Sequence, residues 1–89
     1  MPLNETEIDA TLNFVRKELH RAYKIHGDFC SLHDGYACLL EEENELWDEI
    51  KKRKTERDLE RMATEAIHVS AMGAKMFMFI CRLRAGKVG

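Results

Sequence analysis

The sequence is poor in the residues that interrupt regular structure. Its 89 residues include one proline and five glycines, so few loops are expected between its elements. Hydrophobic residues make up 45% of the chain and charged residues 34%, which is typical of a globular rather than a disordered protein. The length predicts a single domain over residues 1–89, with a core small enough to need help from a second copy.

Other features that the sequence lacks argue against several classes of protein. A net charge of -2 lacks the surplus of lysine and arginine that nucleic-acid phosphates require. Three cysteines without a CxxC pair predict reduced thiols rather than disulfides or a zinc site. No signal-peptide pattern is present, and the apolar stretch at 69–80 is short and interrupted by Lys75, which argues against a membrane span. We therefore predict a cytoplasmic protein that binds neither nucleic acid nor membranes.

Apolar residues recur at helical spacing from the N-terminus onward. In the first segment the spacings alternate between four and three, which predicts a helix over residues 5–26. Asn4 supplies a side-chain cap at its start, and Gly27 ends it. Ser31, with Asp34 three residues later, repeats the capping pattern and predicts a second helix that starts near Leu32. This helix is expected to end at the basic run at 51–54, because cations are favoured near the carboxyl end of a helix.

A third helix is expected from about Glu56 to about Arg84, with Thr55 as its cap. Nearly every position at 66–80 is apolar or small, and such a helix needs neighbours on several sides. The fold prediction is therefore an all-α chain of three helices, forming a helical bundle that dimerisation completes.

Carboxylates are concentrated on the second predicted helix. Glu42 and Glu45 are three residues apart, so they share one helical face and repel each other. A hard divalent cation would turn that repulsion into attraction, and a helical bundle can present carboxylates to it from facing helices. Glu65 on the third helix is the natural third ligand. The competing interpretation is an acidic helix face that is simply exposed to solvent.

A family resemblance becomes visible at these residues. Residues 39–46 read LLEEENEL, which resembles the EExxE motif of the MazG-like all-α nucleoside triphosphate pyrophosphatases. Glu65 lies 20 positions after Glu45, similar to the spacing at which the second motif of the family, ExxD, follows. The segments at 33–37 and 65–72 also resemble short members of this superfamily. The resemblance extends over roughly residues 31–80.

The resemblance implies a metal-dependent site. Glu42, Glu45 and Glu65 correspond to magnesium ligands, and Glu41 to a supporting group that orients the attacking water. His68 stands where the family has aspartate, and an imidazole ligand suits manganese better than magnesium. The other interpretation of His68 is a polar side chain that is hydrogen-bonded or solvated.

Three further residues are candidates for substrate contact, each with a structural alternative. Lys75 and Arg61 would bind phosphates, or they are surface cations. Trp47 would stack on the base, or it is buried in a dimer interface.

The function that the resemblance implies is hydrolysis of a nucleoside triphosphate to the monophosphate and pyrophosphate, with Mg²⁺ or Mn²⁺ as cofactor. Such an enzyme would remove abnormal nucleotides or trim the pool, as a homodimer or tetramer. The alternative is a non-catalytic helical module of the same fold that assembles with itself or with another protein.

Overall fold

The computed structural model describes residues 2–87, and their regular structure is entirely helical. Helix α1 spans Glu5–His26, α2 spans Leu32–Ile50, and α3 spans Leu59–Arg84. A short 3-10 turn at Lys54–Glu56 precedes α3. The predicted all-α class and the number of helices are confirmed.

Side-chain caps begin the first two helices at the predicted residues. The Asn4 carboxamide oxygen accepts hydrogen bonds from the backbone N–H groups of Thr6 and Glu7, at 2.9 and 3.2 Å. The Ser31 hydroxyl accepts one from the backbone N–H of Asp34 at 3.1 Å. Gly27 ends α1 with φ of 69°, a backbone conformation that glycine adopts without steric cost.

The predicted start of α3 was wrong by three residues. Asp58, not Thr55, is the cap: its Oδ1 accepts from the backbone N–H groups of Glu60 and Arg61 at 3.1 and 3.2 Å. A carboxylate at this position satisfies the free N–H groups and also interacts favourably with the helix dipole. Thr55 instead lies in the 3-10 turn. The predicted end of the helix at Arg84 is confirmed.

Helix α3 is the centre of the fold. Helices α1 and α2 each pack on α3, whereas within the described residues no Cα atom of α1 lies within 8 Å of a Cα atom of α2. The buried core consists of a few side chains at the meeting point of the three helices: Ala22, Phe29, Met72 and Phe79. Because α1 and α2 are held apart, a cleft opens between them above α3.

Lys75 is a buried residue of α3, with 2% of its surface exposed. Its Nζ donates a hydrogen bond to the carbonyl oxygen of Gly27 at 2.7 Å and lies 4.7 and 4.4 Å from the ring centroids of Tyr23 and Phe29. Lys75 therefore ties the α1–α2 connection to α3, and its interpretation as a surface cation is wrong.

The apolar part of helix α3 extends beyond the stretch at 69–80 that was considered from the sequence. By length and composition it could cross a membrane, although the central helix of a small domain meets the same criterion.

Gly35 allows α2 to approach α3 closely. A Cβ atom at this position would lie 2.6 Å from Met76 Sδ and 2.9 Å from a ring carbon of Phe29. Both distances are below van der Waals contact, so a larger residue would push the two helices apart.

We expect Gly35→Ala to destabilise the protein by about 1–2 kcal/mol, because overpacking costs more than the roughly 1 kcal/mol gained in helix propensity. Urea unfolding followed by circular dichroism measures the change. In a Met76→Ala background the cost should shrink, since the sulfur atom is then absent. An unchanged or raised stability in Gly35→Ala alone would contradict this account of helix packing.

Candidate metal centre

Four side chains converge where α2 passes α3. Glu42 and Glu45 come from α2, and Glu65 and His68 from α3, and one potential ligand atom of each lies within 4.8 Å of the others. Each pair is spaced by three residues, which places both members on one helical face. The two helices run antiparallel, so the two faces meet at this level. The structure thus brings together all four residues that the sequence analysis assigned as metal ligands.

Two oxygens in this cluster are buried without a hydrogen bond, Glu42 Oε2 and Glu65 Oε2. Each lies 3.5 Å from His68 Nδ1, a separation at which an ion pair is possible but a well-formed hydrogen bond is not. A buried carboxylate oxygen that lacks a donor raises the free energy of the folded state. The pair therefore favours any cation that enters between them.

The pKa of Glu42 reflects the same burial and the same repulsion between neighbouring carboxylates. Burial raises the pKa of the Glu42 carboxyl above its ordinary value, and the neighbouring Glu45 carboxylate raises it further. Glu65 acts in the same direction, whereas His68 opposes the shift. The surroundings thus make the charged form of the Glu42 carboxyl less favourable, and a divalent cation would act in the opposite direction.

Glu18 and Arg21 are members of the site that sequence reasoning missed. Arg21 donates two hydrogen bonds to the Glu18 carboxylate, at 2.8 and 2.6 Å, and this lowers the pKa of Glu18. Glu18 Oε2 lies 3.7 Å from His68 Nε2. At this distance Glu18 places negative charge beside the far nitrogen of His68 without forming a hydrogen bond to it. Only the packing of α1 on α3 reveals this role, because nothing in the α1 sequence points to His68.

The cleft between α1 and α2 adjoins this cluster. It has a volume of about 460 Å³, and Glu42 belongs both to its wall and to the cluster. Arg21 and Lys75 also line it. Glu41, predicted to orient water, lies outside the four-residue cluster but on the wall of this cleft, where it is exposed.

Two predicted substrate contacts lie elsewhere in the described structure. Arg61 pairs with Glu49, with 3.5 Å between Nε and Oε2, and does not line the cleft. Trp47 is exposed on α2 and does not line it either. Of the three candidates, only Lys75 reaches the cleft.

Comparison of the chain with models of known families, with curated proteins and with solved structures gives no match.

We expect Glu42→Gln to stabilise the metal-free protein at neutral pH. A carboxyl whose folded-state pKa is raised contributes stability that is fully present below its ordinary value of 4.5 and is lost as the pH rises through the raised value. The glutamine amide does not titrate and loses no stability in this way. The gain in unfolding free energy from Glu42→Gln should therefore be large at neutral pH and small in acid.

Urea unfolding at several pH values in the presence of a chelator measures this difference, with Glu43→Gln on the exposed side of α2 as the matched control. A Glu42→Gln advantage of the same size in acid and at neutral pH would contradict the electrostatic explanation.

Proposed function

We propose that this chain is a metal-dependent nucleoside triphosphate pyrophosphohydrolase, which cleaves between the α and β phosphates to release pyrophosphate. The observation that carries the proposal is the pair of buried, unpartnered oxygens of Glu42 and Glu65 within a cluster of four ligand-type side chains. The resemblance to the EExxE and ExxD motifs of MazG-like enzymes supports the reaction type, and the adjoining cleft offers space for a substrate.

The donor set fits a divalent cation that accepts both oxygen and nitrogen. Three carboxylates are the ligands that Mg²⁺ and Mn²⁺ prefer, and the imidazole of His68 favours Mn²⁺ between these two. Glu42, Glu45, Glu65 and His68 would hold the ion. When bound, it would supply positive charge for the phosphate oxygens of the substrate.

The other roles fall to residues on the wall of the cleft. An ammonium group has three donors, and Lys75 uses one on Gly27, so it retains capacity for a phosphate oxygen. Glu41 is exposed to the cleft and is the candidate to orient the attacking water. Arg21 is held by Glu18 and acts on His68 through that carboxylate.

A second candidate function is a non-catalytic helical module, and one observation favours it. The His68 ring lies 3.5–3.7 Å from carboxylates of Glu18, Glu42 and Glu65. As an imidazolium, it would supply positive charge to the cluster without any metal. The cluster would then be a structural ion-pair network between the three helices.

Metal binding distinguishes the two candidates. If the four side chains share a cation, Mg²⁺ or Mn²⁺ at 100 times its dissociation constant should stabilise the protein by about 2.7 kcal/mol. For a domain of this size each kcal/mol corresponds to roughly 4–8 °C in melting temperature. Calorimetric titration and thermal melts measure both effects.

Glu45→Gln should abolish the stabilisation, whereas the control Glu43→Gln should retain it. A parent protein whose melting curve does not respond to either ion would favour the ion-pair network. For an enzyme, a screen of common and modified triphosphates for pyrophosphate release should yield at least one substrate whose turnover requires the ion and fails in Glu45→Gln.

We expect His68→Asp to raise affinity for Mg²⁺ more than affinity for Mn²⁺. The change replaces the single nitrogen ligand with a carboxylate, and Mg²⁺ discriminates more strongly in favour of oxygen. Parallel calorimetric titrations of the parent and the variant give the two ratios. If the Mg²⁺ affinity falls or stays the same, His68 is not a ligand and the alignment of Glu65 with the second motif loses its support.

A further inference from the structure

The cleft between α1 and α2 extends along α2 away from the metal cluster. At one end it reaches Glu42, and Asp34, eight residues earlier on the same helix, also lies on its wall. At a rise of 1.5 Å per residue these two levels are about 12 Å apart. With the phosphates of a nucleotide at the cluster, the nucleoside extends along the cleft and its base lies toward Asp34.

Apolar side chains form part of the cleft wall on which a base can pack. Ala22, Phe29 and Met72 line the cleft and are only 2, 7 and 8% exposed. The volume of about 460 Å³ lies within the range of small-molecule sites. Packing against an aromatic or apolar surface tolerates every base, because each base has a similar π-face. Selection among bases therefore depends on the polar groups of the wall.

Asp34 offers such a polar group. Its Oδ2 accepts a hydrogen bond from the backbone N–H of Cys30 at 2.8 Å. Within residues 2–87 its Oδ1 has no donor nearby except the Cys38 thiol, with 3.9 Å between Sγ and Oδ1, and a thiol is a weak donor. Asp34 Oδ1 is therefore an available acceptor on the wall of the cleft.

A carboxylate distinguishes bases by the group that they present to it. An ionised carboxylate only accepts hydrogen bonds. Cytosine and adenine carry an exocyclic amino group, a donor, at the ring position where uracil and hypoxanthine carry a carbonyl oxygen, an acceptor. The amino group forms a charge-assisted hydrogen bond with the carboxylate. A carbonyl oxygen in its place leaves two acceptors facing each other without a donor.

We propose that the substrate of this chain carries cytosine or adenine, and that Asp34 selects the amino form of the base over the corresponding oxo form. The inference rests on the proposed function and separates its two possible roles, removal of abnormal nucleotides and trimming of the pool. Deamination converts cytosine to uracil and adenine to hypoxanthine, so this site rejects deaminated nucleotides. It acts on amino-bearing nucleotides of the ordinary pool.

Binding of α,β-methylene triphosphates tests the proposal, because these analogues cannot be cleaved between the α and β phosphates. The matched pairs are the cytidine and uridine analogues and the adenosine and inosine analogues, titrated calorimetrically in the presence of Mn²⁺. In at least one pair the amino member should bind roughly 10- to 100-fold more tightly, as expected for a hydrogen bond to a charged group. In neither pair should the oxo member bind more tightly.

Asp34→Asn should remove most of this preference, because a carboxamide both donates and accepts and still offers an oxygen to the Cys30 N–H. Asp28→Asn is the matched control. Asp28 also lines the cleft, but its two oxygens already accept from the backbone N–H of Phe29 and the guanidinium of Arg82, at 2.8 and 2.5 Å. The control should keep the preference.

The backbone N–H of Cys30 gives a second readout in the parent protein. It donates to the same carboxylate that the amino group contacts, so its NMR resonance should move when the amino-bearing analogue binds. If Asp34→Asn fails to fold, this resonance decides whether the base lies at Asp34.

Equal affinities within both pairs overturn the proposal, and so does tighter binding of an oxo member or a preference that Asp34→Asn retains. A Cys30 resonance that stays fixed on binding overturns the assignment to Asp34. If the analogues bind with the expected preference but no triphosphate releases pyrophosphate, the hydrolase proposal fails and the base selection stands. Hydrolysis of all four triphosphates with equal kcat/KM supports the hydrolase and overturns the base selection, and absence of binding by all four analogues overturns both.

Discussion

The close approach of α2 to α3 is the constraint on which the rest of the structure depends. Gly35 permits it, because any side chain there would meet Met76 and Phe29. This contact sets the separation and level of the two antiparallel helices. Two turns further along α2, the same alignment places Glu42 opposite His68 and Glu65. A packing requirement at one end of the helix pair thus determines the chemistry at its middle.

Some buried carboxylates are paired with lysine or arginine side chains, and others are not. Glu49 is buried, yet Lys52 Nζ donates to both of its oxygens at 3.0 and 3.1 Å and Arg61 lies nearby. Glu18 is held by Arg21 in the same manner. Glu42 and Glu65 both lie beside the imidazole of His68, and each retains an oxygen without a hydrogen-bond partner among residues 2–87.

The contrast is informative because it occurs within one small molecule. The chain has lysines and arginines in sufficient number to pair its buried acids, and Glu49, two turns after Glu42 on α2, is paired in this way. Unsatisfied buried carboxylates persist in proteins where function or a bound ion requires them. Among the described residues, the cluster is therefore where the pairing of buried carboxylate oxygens is least complete.

Local signals in the sequence were sufficient for the helices and for the ligand set. Capping at Asn4 and Ser31 depends on neighbouring residues, and ligand pairing by threes follows from helical geometry, so both could be predicted. The start of α3 was missed because Thr55 and Asp58 both suit a cap, and the choice between them depends on how the chain leaves α2. The helix caps and the ligand pairs depend on residues that are close together in the sequence. A single sequence therefore contains most of the information needed to predict them.

The burial of Lys75 and the role of Glu18 could not be predicted in this way. Lys75 bonds to Gly27, 48 residues away, and Glu18 reaches His68 only because α1 crosses α3 at that level. Helical periodicity indicates which face a residue occupies but not which distant segment covers it. Lys75 lies on the narrow polar strip of a mostly apolar helix, so the sequence allowed an exposed charge, whereas a carbonyl oxygen and two aromatic rings surround its ammonium group.

The cleft and the uncovered surface have one geometric origin. Within the described residues the backbones of α1 and α2 stay more than 8 Å apart, and this separation leaves room for a cleft beside the acidic cluster. The same separation keeps the core that the three helices share small, so few residues are buried and large apolar side chains remain exposed. A chain of this length that closed its core more completely would lose the cleft. Keeping the cleft open therefore leaves the monomer with a small buried core, formed by Ala22, Phe29, Met72 and Phe79.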